Sequence, residues 1–327
     1  MSTHLRFGIL GAARIAPKAL VWPSAKIPEI SISRVAARDP ERARTFAQEH
    51  GIPHTSTTYQ ALIESDDVDV VYNPLPMSLH AEWTIAALRA GKHVLCEKPF
   101  ASNAAEAAAM VATAEQENRI LGEAFHYRYH PLFSRVLAEI ASGRIGSLTH
   151  VDAGFRVPIA RPDLRWDYAT SGGSLMDLGC YPVSWVRHIV GEEPEVRSAE
   201  AVEDPSRIDA SLRAELVFPT GVTASVTSSM VDDRAIWLTI TGTHGTIDVS
   251  NPMAPQMGNT LTITTEAGTT SGPVDAGISY EHMMRAFVDH LVHGADFPTA
   301  GTDSIANMAA IDAMYQAAGL PIRGLPS

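Results

Sequence analysis

Three groups of residues in this chain have types and spacings suited to chemistry. The first is Glu97-Lys98-Pro99. It follows directly on His93–Cys96, an apolar run that reads as a strand. The lysine then stands at the carboxyl end of a parallel sheet, where such folds bind ligands. The chain has only four lysines (Lys18, Lys26, Lys92 and Lys98), and one set between a buried strand and a proline is poorly placed as surface decoration. The second group is Asp177 with Tyr181, four apart and so on one face of a helix. Pro182 follows, which removes a helical donor and would kink a continuous helix. The third is Gly11-Ala12-Ala13-Arg14-Ile15-Ala16, which follows the first apolar run and opens a helix. It fits Gly-x-Gly-x-x-Gly with alanine at the second and third glycine positions. Gly11 makes the tight turn, Ala13 lets the backbone approach a pyrophosphate, and Ala16 allows close helix–strand packing. The phosphates would sit on the helix N-terminus. An ordinary strand–helix turn uses the same small residues; its place after the first strand favours the dinucleotide.

The elements that must hold these groups change character part-way along the chain. Up to about Glu123, strand-like runs at Leu5–Leu10, Ile30–Ala37, Val68–Tyr72 and His93–Cys96 alternate with helical patterns. The helices run from about Ile15, over Pro40–His50, over Leu79–Ala90, and from Ser102 to about Asn118; Arg119–Leu121 starts another strand. Such alternation argues a doubly wound parallel sheet buried on both faces. A helix over Pro131–Ser142 follows. Strands then come without helices between them, at Leu148–Phe155, Ser211–Phe218, Gly221–Ser229, Ala235–Thr241, Thr246–Val249 and Leu261–Thr265. Tyr280–His293 and a helix capped by Thr302 close the chain. The expected fold is α/β: a Rossmann-type doubly wound parallel sheet over 1–123, then an α+β unit over 124–327 with an open, largely antiparallel sheet. With few helices to cover it, one face of that sheet is expected to be apolar and open, a surface for a second copy.

At 327 residues the chain has room for about two domains of roughly 100–200 residues. Its 45% hydrophobic and 19% charged residues suit a buried core. Asp plus Glu outnumber Lys plus Arg by 37 to 25, a net charge of −12. A phosphate-backbone binder needs clustered cations, and no basic run exceeds two residues, so nucleic acid and anionic membrane surfaces are not expected partners. No apolar stretch reaches the ~18 residues of a membrane span, and the first apolar run is too short for a secretion signal. Cys96 and Cys180 imply no disulfide framework. The expectation is a soluble, cytoplasmic protein.

The end of the second strand bears on which dinucleotide is bound. NAD binders place an acid there for the ribose hydroxyls. Here Ala37 takes that place, followed by Arg38 and, a turn later, Arg42. A planar cation suits a 2′-phosphate. NADP is therefore expected, with NAD possible if Asp39, shifted by one register, holds the ribose.

Ala90-Gly-Lys-His-Val-Leu-Cys-Glu97-Lys98-Pro99 resembles the second signature of the Gfo/Idh/MocA family, the glucose–fructose oxidoreductase and inositol dehydrogenase group. The resemblance runs along nearly the whole chain, through Gly8–Ala16, Val70–Pro99, Glu123–Pro131, Gly172–Pro182 and the terminal helices. It implies a Rossmann domain and an α+β domain whose open sheet forms a homodimer or larger homo-oligomer. The last helix, about 303–318, would return to the Rossmann half, and the Lys98–Pro99 peptide would be cis. Lys98 matches the active-site lysine. Tyr181 stands where many members have histidine; that form resembles the branch with dimeric dihydrodiol dehydrogenases and D-xylose dehydrogenases, in which the tyrosine is the acid/base, with Asp177 beside it. Gly11, Ala13, Arg14, Ile15, Arg38, Arg42, Pro76, His80, Glu97 and Lys98 would hold the cofactor. His126, Arg128, Phe155, Arg165, Asp177 and Tyr181 would line the substrate pocket. Met77 departs from the asparagine often found there. His80 serves equally as a helix-start cap, and Asp177 as a cap or ion pair. His126 and His130 have the spacing of a metal pair, but no His-Glu-x-x-His pattern accompanies them, and no metal is expected.

Together these residues imply an NADP-dependent oxidoreductase moving hydride between nicotinamide and a secondary alcohol or hemiacetal carbon. The substrate would be a pyranose sugar or polyol, on the pattern of a D-xylose or aldose dehydrogenase. Oxidation of a trans-dihydrodiol, a cyclic diol, uses the same parts. A non-catalytic NADP-sensing regulator would not need Lys98, Asp177 and Tyr181 together.

Overall fold

The apolar runs of the first half become strands β1 (Leu5–Leu10), β2 (Ile30–Ala36), β3 (His54–Ser56), β4 (Val70–Asn73), β5 (His93–Cys96) and β6 (Leu121–Glu123) in a computed structural model that describes residues 4–324. They form one parallel sheet in the order β3-β2-β1-β4-β5-β6. Between them lie α1 (Trp22–Ser24, continuing a π-helical stretch Pro17–Val21), α2 (Pro40–His50), α3 (Tyr59–Ile63), α4 (His80–Arg89) and α5 (Ala104–Gln116). Local sequence sets their ends. Asp39 caps α2 by accepting the Glu41 N–H, Pro40 occupies its first turn, and Gly51 ends it at φ +66°. Asn103, one residue after the expected Ser102, caps α5 by accepting the Glu106 N–H, and the Glu106 carboxylate accepts the Ser102 N–H just before the cap.

The second half forms α6 (Pro131–Ala141), β7 (Leu148–Arg156), α7 (Cys180–Val190) and β8 to β14 (Glu195–Glu203, Asp209–Val217, Thr223–Ser229, Ala235–Gly242, Gly245–Ser250, Thr260–Thr265, Gly268–Gly272). The eight strands lie in the order β14-β13-β12-β11-β7-β10-β9-β8. Neighbours are antiparallel except β7 and β10, which are parallel. Inward residues alternate with outward ones. Val151, Ala153, Leu212, Ala214, Val226, Leu238 and Ile240 are buried, and α7 packs on β7. The outward face differs from expectation. It is rich in hydroxyls, with Thr223, Thr227, Thr239, Thr241, Thr246 and Thr262 half-exposed. Threonine favours strands by its branched Cβ without being fully apolar, so strand composition there gives no apolar surface. Trp237 covers Gly154, where any side chain would overlap the indole.

The chain ends with α8 (Ser279–His293) and α9 (Thr302–Ala317). It divides into two units, one of residues up to His126 plus Tyr280–Ile305, the other of Tyr127–Ser279 plus residues from Ala306 on. Helix α8 with the stretch up to Ile305 thus falls in the first unit. Glu123 N–H donates to Thr299 O at 2.8 Å, the Thr299 hydroxyl donates back to Glu123 O at 2.7 Å, and Gly122 pairs with Ala300. Phe287 and Phe297 pack so closely on Gly122 that a Cβ there would lie 2.7 Å from the Phe297 ring. Most of α9 is tied to the second unit, where Asn307 bonds Arg187 and the Cys180 carbonyl. No described helix is long and apolar enough to cross a membrane.

One histidine links this sheet to pH. His93 Nδ1 accepts the Ile120 N–H at 2.9 Å, so it must be unprotonated, and burial lowers its pKa to about 4. The unfolded chain, titrating near 6.5, binds more protons than the folded one between those values. Stability present above about pH 6.5 is therefore lost as pH falls toward 4. His93→Leu should flatten the pH dependence of the urea midpoint in that window; an unchanged slope would refute the assignment.

Candidate active site

At the end of β1 the chain turns through Gly11 at φ +87°, a left-handed conformation that favours glycine. Its N–H donates to Ala36 O at 2.6 Å, and a Cβ would lie 3.0 Å from Leu75. Ala12, Ala13 and Ile15 are half-buried and Arg14 is exposed. The next helix starts with no side-chain cap and with Pro17, which has no N–H, and the Ala16, Lys18 and Ala19 N–H groups bond backbone carbonyls, so a phosphate would be met by the turn before it. Arg42 reaches the turn, bonding Ala12 O at 3.3 Å, and Arg38 is exposed beside it. Asp39 is engaged as the cap of α2. These residues fit a dinucleotide, with Arg38 and Arg42 at the turn and Asp39 engaged as a cap. Tyr59, which the sequence did not single out, stands at the same turn: its hydroxyl lies against the Arg38 backbone, burial raises its pKa, and its ring meets Trp83 edge-on at 5.1 Å.

Lys98 follows β5 and its peptide bond to Pro99 is cis. The Glu97 carboxylate bonds on two sides: Tyr72 OH donates at 2.6 Å and the Lys98 N–H at 3.3 Å. Burial, with Glu97 beside it, holds the Tyr72 phenol well above its usual range, so it stays a donor. His80 is buried and does not cap its helix. Its ring instead ties the loop holding Pro76 to that holding Lys98, with Nδ1 2.9 Å from Pro99 O and Nε2 2.8 Å from Leu75 O. Two carbonyls favour imidazolium, but burial outweighs them and lowers the pKa to about 4. His126 lies against Tyr280, ring centroids 3.9 Å apart. Met77 is buried in the short turn before His80. Burial pushes the Cys96 thiol up, which leaves it inert.

In the second unit Asp177 lies in a π-helical turn, Leu175–Gly179, that runs into α7. Pro182 falls in the first turn of α7, where its ring would strike the carbonyl one tight turn back; the wider turn makes room. Arg165 Nε donates to Asp177 Oδ2 at 2.6 Å and Nη1 to Asp163 at 3.0 Å. Asp177, more than burial opposes, raises the Arg165 pKa further. Tyr181 is buried among Phe155, Tyr127 and Trp185, with ring centroids 5.8, 6.1 and 6.2 Å away. Arg128 stacks on Phe133 at 5.0 Å. His130 is structural: Nδ1 accepts the Leu132 N–H as cap of α6, and Nε2 meets Gly277 O at 3.3 Å. Within this unit the expected Asp177, Tyr181, Phe155 and Arg165 come together, and within the first unit Glu97, Lys98, His80 and Pro76 do. Sequence reasoning named Arg165 but not its partnership with Asp177, and it missed Tyr72; only the folded chain supplies those pairings.

Residues 5–125 match the model of an oxidoreductase family with an NAD-binding Rossmann fold, and residues 133–248 match the GFO/IDH/MocA C-terminal domain. The chain is 35% identical over 319 residues to a D-xylose 1-dehydrogenase (NADP(+)) of Haloferax volcanii, covering 96% of this chain and 97% of that protein. It is 32% identical over 251 residues to a trans-1,2-dihydrobenzene-1,2-diol dehydrogenase of Xenopus tropicalis, covering 76% of each. Among solved structures, an aldose-aldose oxidoreductase of Caulobacter crescentus in complex with glycerol superposes with a TM-score of 0.90 at 26% identity, covering 97% of this chain and 98% of that one. The chain belongs to the Gfo/Idh/MocA oxidoreductase family.

Proposed function

We propose that this member of the Gfo/Idh/MocA family is a cytoplasmic NADP-dependent dehydrogenase of pyranose sugars, with an aldose such as D-xylose as its kind of substrate. The likeness along almost the whole chain to a D-xylose 1-dehydrogenase supports the substrate class. When bound, the nicotinamide would accept hydride from the substrate carbon or return it. The chain's own task is to hold the hydroxyl and move its proton.

The observation that carries the assignment of roles is the Arg165–Asp177 pair. A carboxylate held by a guanidinium is a weak base. Asp177 is thus suited to accept a hydrogen bond from a substrate hydroxyl and unsuited to take the proton. That leaves Tyr181, one turn on, as acid/base. A free phenol titrates near pH 10 and is a poor base at neutrality; a nearby ammonium favours phenolate, and we assign that role to Lys98. The same charge would steady the developing alkoxide. Tyr72 and Glu97 hold the Lys98 peptide.

NADPH formation measured across aldoses, inositols and trans-diols should give the highest kcat/KM on an aldopyranose; turnover of diols alone would overturn the substrate class. Tyr181→Phe should lower kcat by roughly 10²–10⁴-fold, the loss of a general acid/base, with NADP affinity unchanged, and Lys98→Ala should lower kcat by at least as much. Parental turnover in Tyr181→Phe would move the proton to another group. Arg38→Ala should weaken NADP by roughly ten- to a hundredfold, as for a lost charge-assisted hydrogen bond, and leave NAD binding as it was. Equal affinity of the parent for both dinucleotides would refute the NADP assignment.

We also propose self-association through the hydroxyl-rich face of the second sheet, where Trp237 and the outward threonines are partly exposed. Light scattering at micromolar concentration should give at least twice the monomer mass of 35.1 kDa; a monomer alone would refute it.

A further inference from the structure

Beneath the Gly172-Gly173 turn that leads into Asp177 lies an ion pair closed off from water. Arg323 Nη2 donates to Asp209 Oδ1 at 2.8 Å, and both side chains are 0% exposed. The guanidinium gives its other donors to carbonyls: Nε to Gly172 O and Nη1 to Pro321 O, each at 2.8 Å. It lies over the Tyr315 ring at 4.2 Å. The Tyr315 hydroxyl donates to Asp209 Oδ1 at 2.8 Å. The other carboxylate oxygen accepts the Leu175 N–H at 2.6 Å and the Ser174 hydroxyl at 2.8 Å. Leu175 begins the π-helical turn that carries Asp177. Gly173, at φ +136°, passes so near that a Cβ would overlap Asp209 Oδ1.

A buried ion pair adds little net stability over apolar residues of the same volume. What this one adds is placement. We infer that Asp209 and Arg323 are positioning residues for the reaction. The carboxylate anchors the first turn of the helix bearing Asp177 and Tyr181. The guanidinium, delivered by the chain's last segment, holds that carboxylate and the Gly172 carbonyl in one fixed geometry. The inference rests on the proposed roles of Asp177 and Tyr181. A misplacement of about 1 Å at such a helix costs catalysis heavily while leaving the dinucleotide turn at Gly11 untouched.

The test compares full-length Arg323→Lys, Arg323→Met and Tyr181→Phe with the parent. Each is assayed well below its unfolding midpoint, with turnover counted per site titrated by NADPH fluorescence. Lysine keeps a charge opposite Asp209 but lacks the planar fork that spans Asp209 and the Gly172 carbonyl. Arg323→Lys should fold, bind NADPH with parental affinity and lose roughly ten- to a hundredfold in kcat, with a smaller change in KM. Arg323→Met should lose more. If the methionine variant fails to fold, the lysine variant decides alone. A lowered midpoint with parental kcat and KM per titrated site would mean a merely structural role and overturn the inference. Tyr181→Phe reads the underlying assignment separately: parental turnover there refutes the role of Tyr181, whatever the Arg323 variants do, so the two failures stay distinct.

Discussion

A carboxylate taken out of water must be met by donors on every side. In the second unit Asp209 imposes that demand, and much of the unit is arranged around it. Its donors come from Ser174 and Leu175, from Tyr315 on α9 and from Arg323. These stretches lie far apart in sequence, yet they are fixed to β9 at one point. The same turn closes on itself nearby, with the Gly173 N–H donating to Arg165 O and the Gly172 N–H to Asp167 O, both at 3.0 Å. Arg165 and Asp177 are therefore set by one short piece of backbone. The proposed proton-handling side chains thus sit on backbone that is held by groups buried beneath it.

The first unit solves its problem with backbone. Its dinucleotide turn needs a glycine at positive φ, small alanines and a helix start without a side-chain cap, while its cations, Arg38 and Arg42, stay in water. Buried carboxylates lie at Glu123 in β6 and at Glu97 just past β5. There Glu97 is met by a phenol and a peptide N–H, and the His80 ring lies between two loop carbonyls. Precision in this half comes from register and turn geometry, which tolerate surface change better than a buried ion network does.

The two halves were unequally legible for the same reason. Gly11–Ala16 and Glu97-Lys98-Pro99 each concentrate a function within a few consecutive residues, and strand alternation places them at the sheet's carboxyl edge. The parallel sheet could be read because continuous apolar runs separate cleanly from helices. The open sheet was readable in kind but not in detail. β8 is a charged edge strand that carries almost no apolar alternation, and outward threonines look like strand formers whether a face is greasy or wet. Long-range partnerships left no local mark: Tyr72 with Glu97, Arg165 with Asp177, and Arg323 with Asp209 become pairs only on folding. Asp39 shows the converse, since a cap followed by proline is a local signal that settles what the side chain does.

The closure of β6 carries a consequence for how the protein is made. The strand borders on Thr299 and Ala300, nearly two hundred residues further along the chain. A ribosome delivers β1 to β6 long before that segment exists. The nascent parallel sheet must wait with an open edge and an uncovered Gly122 while the whole second sheet is synthesised. Pairing across such a separation is slow to form, and an unpaired edge invites other chains. The first unit, although begun first, is finished almost last, and chaperone demand during synthesis should fall on its β6 side.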